Sequence, residues 1–315
     1  MSVNAQIQAL LEIIRARNVP PHYKLPPVEA RANMEKSRTL FRQPEEFALG
    51  RVEALSIPGP AGKIPARLYA PDATPGRPLI VFYHGGGWVI GSLDTHDDFC
   101  RRMAKLVNAV VVAVDYRLAP EHRFPAAIDD AYAATKWVAA NAKQLGGDAS
   151  RLVVMGDSAG GNLAAVVALM ARDQGGPAIA QQVLIYPATH HDFSLPSVKK
   201  YGEGFLLTSI GMEWFWNHYL GGQDGKDWRA SPMSAKTLKG LPPAYVLIAE
   251  YDVLRDEGEL YAARLQKEGV PTKMVLAEEM IHGFVTMSVV ARTLEIIGDM
   301  AAAVRAQVGT KPHQG

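Results

Sequence analysis

The chain has 315 residues, 48% of them hydrophobic, with a net charge of +1 and a single cysteine. So even a charge balance offers nucleic acid or an anionic membrane little to select, and Cys100 alone cannot form an intramolecular disulfide. The length and apolar content suit one large α/β core with insertions, and the lone cysteine fits a reducing, cytoplasmic setting.

Near the start, Ile7, Leu10, Leu11 and Ile14 recur at helical spacing. Glu12 interrupts the apolar residues, Arg15 and Arg17 follow them, and no basic segment precedes them. The stretch therefore reads as an amphipathic helix and not as a signal peptide. No run approaches the roughly eighteen apolar residues of a membrane span, so no stable membrane association is expected. A proline-rich stretch over 19–27 breaks the helix, and a second helical pattern covers 28–41. Residues 1–45 are read as a separate, mostly helical layer.

From Arg51 the pattern changes. Strands are predicted over 51–57, 64–69, 79–83, 110–114, 152–155, 183–186, 245–249 and 273–276. Pro58-Gly59-Pro60-Ala61-Gly62 between the first two predicts an antiparallel hairpin. Helical patterns over 99–106, 127–145, 163–172, 257–267 and 289–308 alternate with the later strands. That alternation predicts β-α-β units and a mostly parallel eight-stranded sheet, the core running over 46–187 and 236–315. Residues 188–235 break the alternation and carry Phe193, Tyr201, Phe205, Trp214, Phe215, Trp216 and Tyr219; an insertion of this length and aromatic content reads as a lid.

The chemistry gathers where strands end. Gly156-Asp157-Ser158-Ala159-Gly160 lies between an apolar run and a helical pattern, matching the nucleophile elbow G-x-S-x-G. A strand that reverses into a helix strains the backbone at its apex, and residues two before and two after would collide unless they are glycine. A serine nucleophile needs a base, the base an orienting acid, and the tetrahedral intermediate hydrogen-bond donors. His282, beside Gly283 after the last strand, is the predicted base. Asp252 is the predicted acid, while Asp256 is explained as a helix cap. The order Ser158, Asp252, His282 is that of α/β-hydrolases. His84-Gly85-Gly86-Gly87-Trp88 follows the third strand, and its exposed backbone N–H groups, with that of Ala159, suit an oxyanion hole. His84 itself is read as structural. The other seven histidines are read as satisfied surface or core residues, with His96 and His122 in solvated turns.

Together with Asp115-Tyr116-Arg117-Leu118-Ala119-Pro120-Glu121, Phe124-Pro125-Ala126-Ala127 and Asp252-Val253-Leu254-Arg255-Asp256-Glu257-Gly258, these motifs resemble the hormone-sensitive-lipase-like family of bacterial carboxylesterases, in the α/β-hydrolase superfamily. The likeness extends over most of the chain. It implies an α/β-hydrolase fold and a serine carboxylesterase with nucleophile Ser158, base His282 and acid Asp252. It also implies an oxyanion hole from Gly86, Gly87 and Ala159, and a helical cap made of residues 1–45 and 188–235. Where the family commonly has Asp-Pro-Leu, this chain has Asp252-Val253-Leu254, which leaves the carboxylate in place.

The expected reaction is hydrolysis of short- to medium-chain acyl esters through an acyl-enzyme. Trp88, Phe205, Trp214 and Phe215 are the candidate walls of the substrate pocket. Amide or formamide hydrolysis would use the same triad, and a non-catalytic receptor on this fold is a further alternative. Asp94-Thr95-His96-Asp97-Asp98 reads as a capped helix start and His190-His191-Asp192 as a loop, so neither is taken as a metal site. No cofactor is expected, and the partner is a small-molecule ester; a homodimer is compatible with the sequence.

Overall fold

The structure is a computed structural model and describes residues 2–43 and 47–313. The expected boundary between residues 45 and 46 lies outside the described residues. Eight strands form one sheet in the order β1-β2-β4-β3-β5-β6-β7-β8. β1 (Arg51–Gly59) and β2 (Gly62–Ala70) make the expected antiparallel hairpin, and its turn shortens to Pro60-Ala61 because pairing continues to Gly59 and Gly62. β2 is antiparallel to β4 (Val110–Val114). β3 (Arg77–Tyr83), β4, β5 (Gly147–Asp157), β6 (Gln181–Ile185), β7 (Ala244–Tyr251) and β8 (Thr272–Ile281) run parallel.

Both faces of this sheet are covered, which is why its central strands are continuously apolar and not alternating. Leu79, Val81 and Tyr83 of β3 turn to one face, packed with α4 (Ala126–Ala140), α6 (Ala159–Asp173) and α9 (Arg255–Lys267). Ile80 and Phe82 turn to the other, packed with α3 (Asp97–Val107) and α10 (Ala291–Val308). The helix expected over 127–145 breaks at Asn141, whose side-chain amide donates to the Trp137 carbonyl at 2.8 Å; α5 (Ala142–Leu145) follows and ends on left-handed Gly146.

The amino-terminal helix α1 (Ala5–Ala16) does not stand apart. Ile7, Leu10 and Leu11 join the apolar cluster beneath α3 and α10. Asn4 N–H donates to the Glu279 carbonyl at 3.0 Å, and the Ala291 N–H donates to the Gln6 side chain at 3.0 Å. α2 (Pro27–Phe41) is pinned through Arg31, which donates to the Val89 and Ala119 carbonyls and pairs with Glu121. The 188–235 insertion folds into α7 (Pro196–Lys200), α8 (Ser209–Leu220) and connecting turns. Among the described residues no helix is long and apolar enough to cross a membrane.

Candidate active site

Ser158 sits at the junction of β5 and α6 with φ 57° and ψ −119°, a conformation that costs on the order of 1–3 kcal/mol for a non-glycine residue. The surrounding backbone is packed tightly enough to hold it there. A Cβ on Gly156 would fall 2.2 Å from the Gly160 carbonyl, and one on Gly160 would fall 1.9 Å from the Tyr83 carbonyl. Only glycine fits either place.

His282 follows β8, and Gly283 beside it takes φ 82° to turn the chain away. Its Nε2 lies 2.8 Å from Ser158 Oγ and its Nδ1 lies 2.7 Å from Asp252 Oδ2. An ionised carboxylate only accepts, so Nδ1 carries the proton and Nε2 is free to receive the serine proton. Asp252 follows β7, and its second oxygen accepts the Leu254 N–H at 2.9 Å. It is 1% exposed, while Ser158 and His282 are each 8% exposed and reach the cavity. The Tyr186 ring packs on the imidazole with centroids 4.7 Å apart.

The loop after β3 is held from behind. His84 Nδ1–H donates to the Gly85 carbonyl at 2.7 Å, and Tyr116 OH donates to the His84 carbonyl at 2.7 Å. The two rings stack at 4.4 Å. Val89 and Ile90 N–H both donate to the Gly86 carbonyl. Gly86 and Gly87 have φ 115° and 57°, so the chain there takes turns that other residues resist. Among the described residues no hydrogen bond occupies the N–H of Gly86, Gly87 or Ala159. Burial, with His96 nearby, pushes the His84 imidazole down to about 4, so it is neutral at physiological pH and takes the structural place expected of it.

Above Ser158 and His282 lies a cavity of about 760 Å³. The elbow and the glycine loop form its floor. Tyr23 and Met34 contribute to one wall, and Phe205, Met212 and Phe215 to another. The two walls meet: Arg15 donates to the Gly204 carbonyl at 3.1 Å, and His22 packs against Phe215. One expected wall residue needs correction, and another takes its place in the wall from behind. Trp214 lies outside the lining and packs on Phe215 and His218, because neighbours on a helix point about 100° apart. Trp88 lies at the cavity, but its ring is 0% exposed, stacked on Tyr219 at 4.2 Å and packed against Trp216. It supports the wall from within the core.

His96 and Asp256 also differ from expectation. His96 is buried at 2% exposure, not solvated, and its Nε2 lies 3.2 Å from Asp157 Oδ1. The acids around it suggested a solvated turn, yet they face arginines: Asp94 and Asp97 pair with Arg67, and Asp98 with Arg102. His96 is itself the residue before α3 and makes no side-chain cap bond. Asp256 does not cap its own helix; its carboxylate accepts the Ser197 N–H at 2.8 Å in the first turn of α7. Among the described residues no three His, Cys, Asp or Glu side chains gather as a metal site.

A sequence model described as the alpha/beta hydrolase fold matches residues 80–286. Esterase LipI of Mycobacterium tuberculosis is 47% identical over 256 residues, covering 80% of each chain. Carboxylesterase NlhH of the same organism is 43% identical over 284 residues, 88% of each chain. The hyperthermophilic esterase of the archaeon Pyrobaculum calidifontis superposes with a TM-score of 0.92 at 43% identity, over 98% of this chain and 100% of that one.

Proposed function

Since the chain belongs to the α/β-hydrolase family and is a serine carboxylesterase of its hormone-sensitive-lipase-like branch, we propose that Ser158, His282 and Asp252 are its triad. In this reading Ser158 Oγ attacks the ester carbonyl while His282 Nε2 takes its proton. Asp252 keeps the imidazole in the tautomer with Nδ1 protonated and stabilises the imidazolium as it forms. The developing oxyanion is received by the N–H groups of Gly86, Gly87 and Ala159, at the amino end of α6 where the helix dipole also favours negative charge. His282 then protonates the leaving alkoxide. A water activated by the same imidazole hydrolyses the acyl-enzyme.

The observation that carries this assignment is the continuous relay of 2.8 and 2.7 Å opening on the cavity floor where the three N–H groups stand free. Residues 1–45 and 188–235 act as the cap in the same reading, because both contribute to the cavity walls and touch one another over it. The substrates are small esters with short to medium acyl chains, enclosed by apolar walls. A cytoplasmic location belongs to the same reading, in keeping with the single, buried Cys100.

Mixing the enzyme with p-nitrophenyl butyrate tests it. A burst of p-nitrophenol stoichiometric with enzyme, absent in Ser158→Ala, is the expected result. A Ser158→Ala protein that keeps more than a few per cent of the rate would overturn the nucleophile assignment. Removal of divalent ions with EDTA should leave the rate unchanged.

A further inference from the structure

Asp157 stands immediately before Ser158, and its buried carboxylate is engaged by Gly85 and His96. Its Oδ1 accepts the Gly85 N–H at 2.8 Å, reaching from the elbow to the glycine loop. Gly85 is shaped for this contact: a Cβ there would lie 2.4 Å from Asp157 Oδ2. His96 closes the arrangement from the third side, its Nε2 3.2 Å from Oδ1 and 3.3 Å from Oδ2. Its other ring nitrogen lies 2.9 Å from Thr95 Oγ1, so the ring is held at both ends. Asp157 and His96 are 3% and 2% exposed, and a carboxylate this deeply buried persists only where it is paired and hydrogen-bonded. Burial alone would raise the Asp157 carboxyl, but His96 holds it below the ordinary range.

We propose that Asp157 and His96 are positioning residues, which fix the oxyanion loop to the nucleophile elbow and so set where the Gly86 and Gly87 N–H groups point relative to Ser158 Oγ. The inference rests on the oxyanion-hole reading above and adds to it a pair of residues outside the triad. The physical reason is alignment. Donors aimed at the developing oxyanion stabilise it only if they are already in place, since reorienting them during reaction returns much of the gain. With Gly85 held by Asp157 at its N–H and by His84 at its carbonyl, the two glycines after it are fixed at their root while their own N–H groups stay free.

His96→Leu keeps the bulk and removes the donor; His96→Gln keeps a donor near the position of Nε2. With p-nitrophenyl butyrate, His96→Leu should lower kcat by about ten- to a hundredfold, part of the effect of losing an oxyanion donor, with KM within about twofold. Binding of a trifluoromethyl ketone, whose adduct with Ser158 carries the oxyanion, should weaken in parallel. His96→Gln should recover most of the loss. Gly85→Ala, which displaces the carboxylate without deleting a polar group, should reproduce the signature and carries the test if His96→Leu does not fold. A lower melting temperature with unchanged kcat and unchanged ketone affinity would overturn the proposal, as would a change in KM alone. Ser158→Ala separates the levels. If it is inactive while His96→Leu and Gly85→Ala turn over like the wild type, only the positioning role fails; if it remains active, the site assignment itself fails.

Discussion

Asp252 and Asp256 lie four positions apart, and their surroundings divide their work. One carboxylate faces the His282 imidazole at 2.7 Å and the other the first turn of α7. Asp252→Asn should reduce kcat by roughly three to four orders of magnitude, since an amide lets the imidazole settle in the wrong tautomer. Asp256→Asn should cost far less, because its amide oxygen can still accept the Ser197 N–H. Steady-state kinetics on the two variants check this, and equal losses would mean that the acid is misassigned. His84 gives a stability prediction. Its imidazole titrates near 4 in the fold against about 6.5 when unfolded, so between those values the native protein binds fewer protons than the unfolded chain. Stability should therefore fall as pH drops from about 6.5 towards 4, by up to about 3 kcal/mol from this group. Urea unfolding across that range should show the decline, and His84→Gln should flatten it.

At the scale of elements, the legible parts were those written in contiguous residues. The elbow could be read because steric conflict two residues either side of Ser158 leaves its mark as Gly156 and Gly160; a Cβ on Gly156 meets the Gly160 carbonyl in keeping with that conflict, whereas the contact of Gly160 with the Tyr83 carbonyl of β3 carries no mark in the motif. Strand and helix alternation was legible because a sheet covered on both faces leaves long apolar runs. The partnership of His96 with Asp157 was not, since 61 positions separate them and the nearby acids conceal a buried ring. Nor does an aromatic run such as Trp214-Phe215-Trp216 say which ring meets a cavity; that depends on how α8 is rotated against its neighbours. The amino-terminal helices show the same limit. They read as a separate layer, yet Ile7, Leu10 and Leu11 enter the core, and a buried side chain of this size contributes about 1.5–3 kcal/mol. Deleting residues 1–40 should therefore lower the melting temperature as well as the esterase rate. A truncated protein with full activity and an unchanged melting curve would remove these helices from the cap.

Across the whole molecule, the floor of the cavity comes from the sheet and its walls from two stretches distant in sequence. Such a space rewards length only until it is full. Each buried methylene contributes about 0.8 kcal/mol, after which further carbons meet packed aromatics and overpacking costs more than burial gains. A series of p-nitrophenyl esters should show kcat/KM rising to an optimum at roughly four to eight acyl carbons. Emulsified long-chain triglyceride should be a poor substrate, and a jump in rate at its solubility limit would contradict the enclosed site.

The docking of α1 also has a consequence in time. Its anchors are the Glu279 carbonyl and the Ala291 N–H, nearly the whole chain away. On a ribosome adding about 5–20 residues per second, roughly a quarter of a minute to a minute passes between the emergence of this helix and that of its partners. His282 emerges in the same late interval. Throughout it α1 lacks both hydrogen-bond anchors and Ser158 lacks its His282 partner, so under the assignment proposed above a nascent chain carries its serine unarmed until the segment that supplies the base also gives the first helix its seat.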